Sequence, residues 1–489
     1  MIPTMRETFQ SRALTQVRMG IPVPLLLSLF LLAAMIPLGV AAWTTRSSGD
    51  VLTEFGAASA ILAATLLYLQ FLSSGRFETL SGRIGIDRTM GFHRIAAVAV
   101  IIFAVAHPLS YVGGTILDNP TAASARLQAM LTSPRLRSGV IALALLTVLV
   151  GFASLRTSRY VRYEFWRTTH GTLAVVAGGL TLHHALGVGT YAADASVRMI
   201  LLIYAGVGLT AALVVYIVRP WRMWRGGWRI EKARVIAEGI TELILRGPER
   251  TSFNLRGGQF LWLSISPNRP PFHDHPFSIA SSAAYLPRLR LIVRHAGNCT
   301  NVFHTLAPGT PVAIDGPHGS FVLPSQSSAV VMVAGGVGIA PLLGMLEEAA
   351  DRGDKREFRL LYAASSHEAM ACKEALADFG DRMNLKITYC ADEACSVPDV
   401  LRGPIQRDYL RGLLSGLPID EVSVLLCGPP AMMEAAADAF LSFGVPMANV
   451  HYERFDFGAG SGQIDRWRRL NAVVVFAALV AAGLLFSSR

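Results

Sequence analysis

Seven long apolar runs constrain this chain more than any other feature of its sequence. A helix needs about 20 apolar residues to cross a bilayer, and most of the runs approach that length. The sequence therefore predicts a protein embedded in the lipid bilayer, with six spanning helices, a polar region and a seventh helix that packs against the bundle. The runs lie at roughly 21–43, 52–72, 91–112, 139–155, 170–188, 199–218 and 470–486.

Composition supports a membrane protein and argues against nucleic acid as a partner. Hydrophobic residues make up 52% of the 489 residues and charged residues only 16%, which is too apolar for an ordinary soluble protein. The net charge is +10, but the arginines cluster between the apolar runs, as in cytoplasmic loops of membrane proteins. All five cysteines lie between residues 299 and 427 without metal-ligand spacing, so we expect reduced thiols and no iron–sulfur cluster.

The distribution of arginines predicts the orientation. With the N-terminus inside, about ten arginines of the terminus and loops lie on the cytoplasmic side. The positive-inside rule therefore favours a cytoplasmic N-terminus and a cytoplasmic polar region, in the plasma membrane. Five arginines would face outside: Arg46, Arg126, Arg135, Arg137 and Arg198.

Two apolar runs carry histidines in matched positions. His93 and His107 lie on the third run, and His170 and His184 lie on the fifth; the members of each pair are fourteen residues apart. Fourteen residues return to nearly the same helix face and rise about 21 Å, most of the bilayer thickness. In the predicted topology, His93 and His170 lie near the cytoplasmic face and the other two near the outer face.

Facing histidines at two levels are what two stacked b-type haems require, because neutral imidazole is a good iron ligand. The simpler alternative is a set of hydrogen-bonded histidines without a metal, as for most single histidines in helices. On a straight helix His184, not the adjacent His183, shares a face with His170. A bulge at Gly178–Gly179 would rotate the later turn and favour His183 instead.

The polar middle divides into two patterns. From Trp228, short alternating runs such as "RVIAEGITELILR" and "GGQFLWLSIS" with Gly and Pro between them predict an antiparallel barrel. From Ala329, strands alternate with helices, which predicts a parallel α/β sheet. In "VMVAGGVGIAP" a buried strand, a glycine turn and a helix start follow one another, an arrangement that can bind a pyrophosphate.

The ordered motifs resemble those of the ferredoxin–NADP reductase family, in its membrane branch of ferric reductases and NADPH oxidases. They are "GGQF", "HPFSIASS", "RHAGNCTNVFHTLAPG", "GPHGSF", "GGVGIAP", "CGPPAMM" and "HYERFDF". That branch also has six helices with two histidine pairs on the third and fifth. The resemblance implies a helical membrane domain over 1–219, an FAD-binding β-barrel over 220–325 and an NAD(P)-binding α/β domain over 326–457. Residues 458–489 would form a linker and the added helix.

The resemblance also assigns roles to residues in the motifs. His275, Pro276, Phe277 and Ser278 would hold the flavin ring and ribityl chain, and Arg294, Gly297 and Thr300 would surround the FAD pyrophosphate. Gly335, Gly336, Gly338 and Pro341 would form the NAD(P) pyrophosphate loop. Cys427, Gly428 and Pro429 would place the nicotinamide near the flavin, and Phe455 would cover the flavin.

Two departures from the family pattern bear on these roles. The family chain commonly ends near its terminal aromatic residue, whereas this chain continues past Phe455 into the seventh helix. Ser365, Ser366 and Lys373 are candidates for a 2′-phosphate, but no clear arginine accompanies them. NADPH is therefore only slightly favoured over NADH.

The resemblance implies a transmembrane oxidoreductase that takes electrons from NAD(P)H through FAD and two haems to an outer acceptor. The acceptor would be dioxygen, giving superoxide, or a ferric chelate. We expect the outer loop 113–138 to cover the outer haem, where its three arginines would attract anions or contact lipid phosphates. The alternative is a haem-free, membrane-anchored reductase of the flavin or ferredoxin type.

Overall fold

The computed structural model describes residues 23–489 apart from 75, 78–85, 117–118, 158–160, 162, 250–253, 266–273, 298, 394–396 and 453–461. Among these described residues, six helices are long and apolar enough to span a bilayer, and a bent pair would make a seventh span. The predicted helical membrane region is thereby confirmed. Its helices are α1 Val23–Thr44, α2 Val51–Leu72, α3 Ile86–Ile116, α4 Pro120–Thr132, α5 Arg137–Ala153, α6 Tyr163–Val188, α7 Ala195–Leu213 and α8 Arg219–Trp224.

The segment predicted as the outer loop differs from expectation. Helix α3 continues to Ile116, and most of the remainder forms helix α4, which meets α5 at 91°. Asn119 caps α4 by accepting from the Ala122 N–H at 3.0 Å, and Pro120 occupies the first turn, where its missing N–H costs nothing. Because only Ala123 of this helix is buried, α4 lies along the surface.

Helix α2 forms the centre of the bundle. In its most apolar window 78% of the residues are buried, against 33% or less in the other spanning helices. It packs against α1, α3, α7 and the last helix of the chain, α13 Gln463–Ser487. Gly483 of α13 lies near α2, since a Cβ there would make ordinary van der Waals contacts with Phe55 and Leu62 at 3.7 and 3.8 Å.

A buried carboxylate fastens α13 to the bundle. Glu54 is 2% exposed and accepts from the Ser48 N–H at 2.7 Å and from the Tyr191 hydroxyl. Arg489 donates from Nη2 to the Tyr191 hydroxyl at 2.7 Å, and the same nitrogen lies 3.6 Å from the Glu54 carboxylate. A buried carboxylate is stable only when charge and hydrogen bonds compensate it, so this cluster fixes one end of α13.

The six strands after α8 form one antiparallel sheet in the order β4-β3-β6-β1-β2-β5. An antiparallel bridge between Ile279 and Leu291 joins β4 to β5 and closes the sheet. The predicted barrel is thus confirmed. Gly239 makes the tight β1–β2 turn with a φ of +65°. Residues with a Cβ rarely adopt this φ angle. The strands are β1 Trp228–Ala237, β2 Ile240–Arg246, β3 Phe260–Ser264, β4 His275–Ser278, β5 Arg288–Arg294 and β6 Pro311–His318.

The following region is a parallel six-stranded sheet in the order β10-β9-β8-β7-β11-β12, with helices between its strands, as predicted. Strand β7 is buried along its whole length, which explains its continuous apolar sequence. The elements are β7 Ala329–Gly335, α9 Ile339–Arg352, β8 Glu357–Ala364, α10 Lys373–Arg382, β9 Leu385–Ala391, β10 Val400–Arg402, α11 Arg407–Gly412, β11 Val422–Cys427, α12 Pro430–Ser442 and β12 Val450–Tyr452.

The barrel and the parallel sheet share a close contact. The Gly257 N–H donates to the Glu348 carboxylate at 2.6 Å, and Arg256 pairs with the same carboxylate at 2.8 Å. A Cβ on Gly257 would lie 2.3 Å from the Gly344 carbonyl oxygen, so the two backbones touch. This contact fixes the barrel against helix α9.

Glu54→Gln should destabilise the helical bundle, because it removes the charge that compensates Arg489 while preserving side-chain size. We expect a loss of roughly 1–3 kcal/mol, the cost of an unsatisfied buried partner. Thermal unfolding in detergent, followed by circular dichroism, measures it. Glu249→Gln is the control, since the Glu249 side chain is 71% exposed. Equal midpoints for the two variants would contradict a structural role for the Glu54 cluster.

Candidate functional site

His107 and His184 face each other in the bundle. Their ring centres are 6.3 Å apart, with an interplanar angle of 73°. Two imidazoles on opposite sides of one metal, each at a bond length of about 2 Å, leave ring centres roughly 6 Å apart. The spacing of this pair is therefore compatible with two imidazoles that would hold one metal ion.

Hydrogen bonds orient the two histidines of α3. His107 Nδ1 lies 2.9 Å from the Gly56 carbonyl oxygen, which can only accept, so Nδ1 carries the proton. His93 Nδ1 lies 3.0 Å from the Ser73 hydroxyl. A metal-binding histidine typically anchors one ring nitrogen in this way and offers the other to the metal. In both residues the nitrogen left for a metal is Nε2.

The two histidines of α6 have a different environment. His170 Nδ1 and His184 Nδ1 are both buried and have no hydrogen-bond partner within the described part of the chain. The His184 ring lies where a Cβ on Gly139 would be, at 2.6 Å, so the glycine of α5 makes room for it. Buried polar atoms without a partner are rare in proteins, which sets these two imidazoles apart from the hydrogen-bonded ones of α3.

Helix α6 is an uninterrupted α-helix through Gly178 and Gly179, so the bulge that would favour His183 is absent from this described helix. His183 is exposed, whereas His184 is partly buried and forms the ring pair with His107. The π-helical turn of the bundle lies elsewhere, at Val214–Val218. The structure therefore brings His184, and not His183, to His107.

At the other level, His93 lies fourteen residues before His107 on the continuous helix α3, and His170 lies fourteen residues before His184 on the continuous helix α6. His170 stacks on Trp166 with ring centres 5.2 Å apart and an angle of 21° between the planes. Gln70 donates to the His93 carbonyl oxygen at 3.0 Å, which connects α2 to this level of the bundle. The structure thus has two histidine pairs at two heights.

The motif "HPFS" forms strand β4, which pairs with β3, so that His275 opposes Leu263 and Ser278 opposes Phe260. All four residues are half-buried, as expected of a strand that offers one side to a ligand. Closure of the barrel brings the end of β5, with Arg294, beside this strand. In the turn that follows, Thr300 Oγ1 accepts from the Ala296 N–H at 2.9 Å and Gly297 O accepts from Asn301.

The glycine motif lies at a switch point of the parallel sheet. Strand β7 has β8 on one side and β11 on the other, and the chain winds in opposite directions from it. Ligands of such sheets bind at the carboxyl ends of the strands where the order reverses. Gly336, with φ of +53°, turns the chain from β7 into α9, whose first residues include the buried Pro341.

The loop after β7 and the loop after β11 touch at this switch point, because glycines stand where they meet. A Cβ on Gly338 would lie 2.2 Å from the Cys427 carbonyl oxygen, and one on Gly335 would lie 2.7 Å from Pro429. A Cβ on Gly428 would lie 2.9 Å from the Gly335 Cα. The structure thereby brings together the two motifs that the sequence places almost 90 residues apart.

Two of the side chains proposed to bind a 2′-phosphate, those of Lys373 and Ser366, form hydrogen bonds within their own loop. Lys373 Nζ donates to the His367 carbonyl oxygen at 3.1 Å, and Ser366 Oγ accepts from the Ala369 N–H at 3.2 Å. Both interactions lie in the loop after β8, at the carboxyl edge of the sheet. Phe455, predicted to cover the flavin, lies outside the described residues.

The structure also reveals an ion cluster that sequence reasoning missed. Asp274, immediately before His275, is 2% exposed and pairs with Arg76 at 2.8 Å and with Arg167. Arg76 also lies over the Trp262 ring at 3.5 Å. Both arginines belong to the membrane region, so they fix strand β4 against the bundle. Only the position of Asp274 directly before the motif hinted at its importance.

A second ion pair supports the same contact. Arg219, at the start of α8, pairs with Asp315 at 3.2 Å, and His318 approaches the same carboxyl at 3.2 Å. Burial opposes ionisation of Asp315, but the hydrogen bond to His318 and the nearby positive charges outweigh it and lower the pKa of the carboxyl to about 2. The pair therefore stabilises the folded state above about pH 4 and is lost only as the pH falls through about 2.

Comparison with known families supports both halves of this architecture. Residues 59–181 match the family described as "Ferric reductase like transmembrane component", a segment that contains His93, His107 and His170. Residues 332–438 match "Oxidoreductase NAD-binding domain", which contains the glycine loop and Cys427. The chain therefore contains one segment similar to a ferric-reductase-like transmembrane component and another similar to an oxidoreductase NAD-binding domain, as the sequence motifs predicted.

The following three relatives each match less than half of the chain. The toluate 1,2-dioxygenase electron transfer component of Pseudomonas putida is 30% identical over 46% of this chain and 66% of its own length. A flavohemoprotein of Halalkalibacterium halodurans is 26% identical over 47% of this chain and 61% of its own length. Thus the chain spans about two thirds or less of these two relatives. The crystal structure of an Amycolatopsis cytochrome P450 reductase is 26% identical, with a TM-score of 0.42 over 47% of this chain and 69% of that chain.

Gly338→Ala should weaken nucleotide binding, because its Cβ would overlap the Cys427 carbonyl oxygen and push the two loops apart. We expect at least a tenfold rise in Kd for NADPH, measured by calorimetry. Gly380→Ala in helix α10 is the control, since a Cβ there meets nothing within 4 Å and alanine favours helix. Equal affinities for both variants would show that the contact of the loops is irrelevant to the nucleotide.

Proposed function

We propose that this protein, a ferric-reductase-like transmembrane component joined to an FAD- and NAD-binding reductase, passes electrons from cytosolic NAD(P)H to an acceptor outside the membrane. The observation that supports it best is the facing pair of His107 and His184, with His93 and His170 fourteen residues earlier on the same two helices. When bound, FAD would take a hydride from NAD(P)H and release single electrons, which two b-type haems would carry across the bilayer.

The bundle supplies the haem ligands in this proposal. His93 and His170 would hold the inner haem, and His107 and His184 the outer haem, each through Nε2. The hydrogen bonds from Nδ1 to Ser73 and Gly56 orient the rings of α3 and raise their basicity as ligands. His183 would remain an exposed neighbour at the outer end.

The reductase region would bind the other two cofactors. Strand β4 would hold the flavin ring, and the Arg294–Thr300 segment would surround its pyrophosphate. The N–H groups of the Gly335–Gly338 loop and the first turn of α9 would receive the nucleotide pyrophosphate. Cys427, which ends β11 against this loop, would orient the nicotinamide toward the flavin, with Phe455 covering the flavin.

Outward electron transfer is favoured by the membrane potential. With a cytoplasmic reductase region and a potential negative inside, the free energy of each electron would fall by about 2.3 kcal/mol per 100 mV as it crosses to the outer side. Three arginines are exposed here. Arg126 lies on α4, Arg135 lies between α4 and α5, and Arg137 is the first residue of α5. They would raise the local concentration of an anionic acceptor such as a ferric chelate. Dioxygen would need no such attraction.

A haem-free reductase anchored by its helices is the competing function. It would need the same barrel and parallel sheet but would give no reason for four matched histidines in the bundle. A reduced-minus-oxidised spectrum of the purified protein separates the two, because only the proposed function requires low-spin b-haem bands.

Separate substitutions of the histidines should show which residues hold the haems. His107→Ala and His184→Ala should each reduce the haem content from two to one per chain, because each removes a ligand of the outer iron. His183→Ala is the matched control and should retain two. Haem is counted by pyridine haemochrome absorbance against protein. Loss of one haem in the His183 variant alone would refute the assignment of His184.

The acceptor can be tested on the same preparation. If a ferric chelate is the acceptor, NADPH-driven reduction of Fe(III)-citrate should exceed superoxide formation, and Arg126→Gln with Arg135→Gln should lower its rate at low salt only. A faster superoxide rate, unaffected by these substitutions, would identify dioxygen instead.

A further inference from the structure

Four rings form a continuous series between the "HPFS" strand and the inner histidine pair. The His275 ring lies 5.5 Å from that of Tyr163. Tyr163 stacks on Trp166 at 5.9 Å and 24°, and Trp166 stacks on His170 at 5.2 Å and 21°. The series begins in the barrel and ends at a candidate ligand of the inner haem.

Helix periodicity places three of these rings on one face. Tyr163, Trp166 and His170 are separated by three and four residues, the spacings at which side chains of a helix become neighbours. Trp166 is held in place because its Nε1–H donates to the Phe152 carbonyl oxygen of α5 at 3.1 Å. The indole therefore has a fixed orientation between the two other rings.

The Asp274 ion cluster holds the barrel end of the series. Asp274 precedes His275, and Arg167 follows Trp166, so their ion pair joins the two segments beside the rings. Arg76 binds the other carboxylate oxygen of Asp274. Ion pairs as buried as this one give specific geometry rather than net stability. Here the geometry that they fix is the distance between β4 and α6.

We propose that Tyr163 and Trp166 form the electronic bridge from the flavin-binding strand to the inner haem, and that Asp274 is the positioning residue that keeps the bridge closed. This inference rests on the proposed function. Electron tunnelling is faster through packed, bonded atoms than across a gap, and the stacked rings fill the path. When both groups are bound, the reduced flavin would supply single electrons, each of which would reduce one ferric haem iron to ferrous iron, and the flavin proton would go to cytosolic solvent. The rings themselves are neither oxidised nor reduced.

Trp166→Leu tests the bridge directly. In anaerobic stopped-flow mixing with NADPH, flavin bleaching should be unchanged, whereas haem reduction should slow at least tenfold. Trp166→Phe keeps an aromatic ring and should stay within about threefold of the unmodified protein. Trp224→Leu is the control, because Trp224 is 61% exposed and lies outside the series. If Trp166→Leu does not load haem, Tyr163→Leu gives the same test without touching His170.

Asp274→Asn tests the positioning role with a readout independent of activity. Hydrogen–deuterium exchange of β4 should accelerate, because the strand loses its attachment to the bundle, and haem reduction should slow as well. In Trp166→Phe the exchange should be unchanged. Asp378→Asn is the control, since its side chain is 62% exposed.

Three results would overturn this inference. The first is unchanged haem reduction in both Trp166→Leu and Tyr163→Leu, and the second is a slowing of flavin bleaching in Trp166→Leu equal to that of haem reduction. The third is unaltered hydrogen–deuterium exchange of β4 in Asp274→Asn. Each leaves the proposed function standing if the unmodified protein contains two low-spin haems. A protein without haem would instead remove the proposed function itself.

Discussion

Burial of imidazole in an apolar bundle is the constraint on which the rest of this structure depends. A ring nitrogen without a partner is costly in a medium without water, and the bundle contains four buried or half-buried histidines. The two on α3 hydrogen bond to Ser73 and Gly56, whereas Nδ1 of the two on α6 has no such partner in the described structure. In the proposed function each ring would offer Nε2 to a haem iron, so the histidines of the two helices differ in how Nδ1 is held.

Buried ion pairs hold the barrel against the bundle. The proposed electron transfer requires that the donor be held at a fixed distance from the first acceptor. Two buried carboxylates of the barrel fix that distance: Asp274 pairs with Arg76 and Arg167 of the bundle, and Asp315 pairs with Arg219. Both pairs are costly to separate in a low-dielectric environment, so the barrel is docked in a defined orientation.

Local sequence patterns predicted most of the elements because their causes are local. Apolar length determines a spanning helix, alternation determines a half-buried strand, and a glycine turn after a buried strand determines the start of α9. The predicted loop after α3 was wrong in part, since Asn119 and Pro120 begin a helix. Helix-wheel geometry favoured His184 over His183, and α6 has no bulge to change that. The ligand assignment itself remains a prediction.

The sequence by itself determined the three fold regions (helical bundle, antiparallel barrel and parallel α/β sheet), the histidine spacing and the motif order, because each depends on residues within one element or on their order. Only the tertiary structure decided which side chains meet across elements. The stack of Tyr163 and Trp166 between His275 and His170, the Asp274 cluster and the packing of Gly338 on Cys427 join residues that are distant in the chain. Their contacts depend on helix packing and barrel closure, which no single segment encodes.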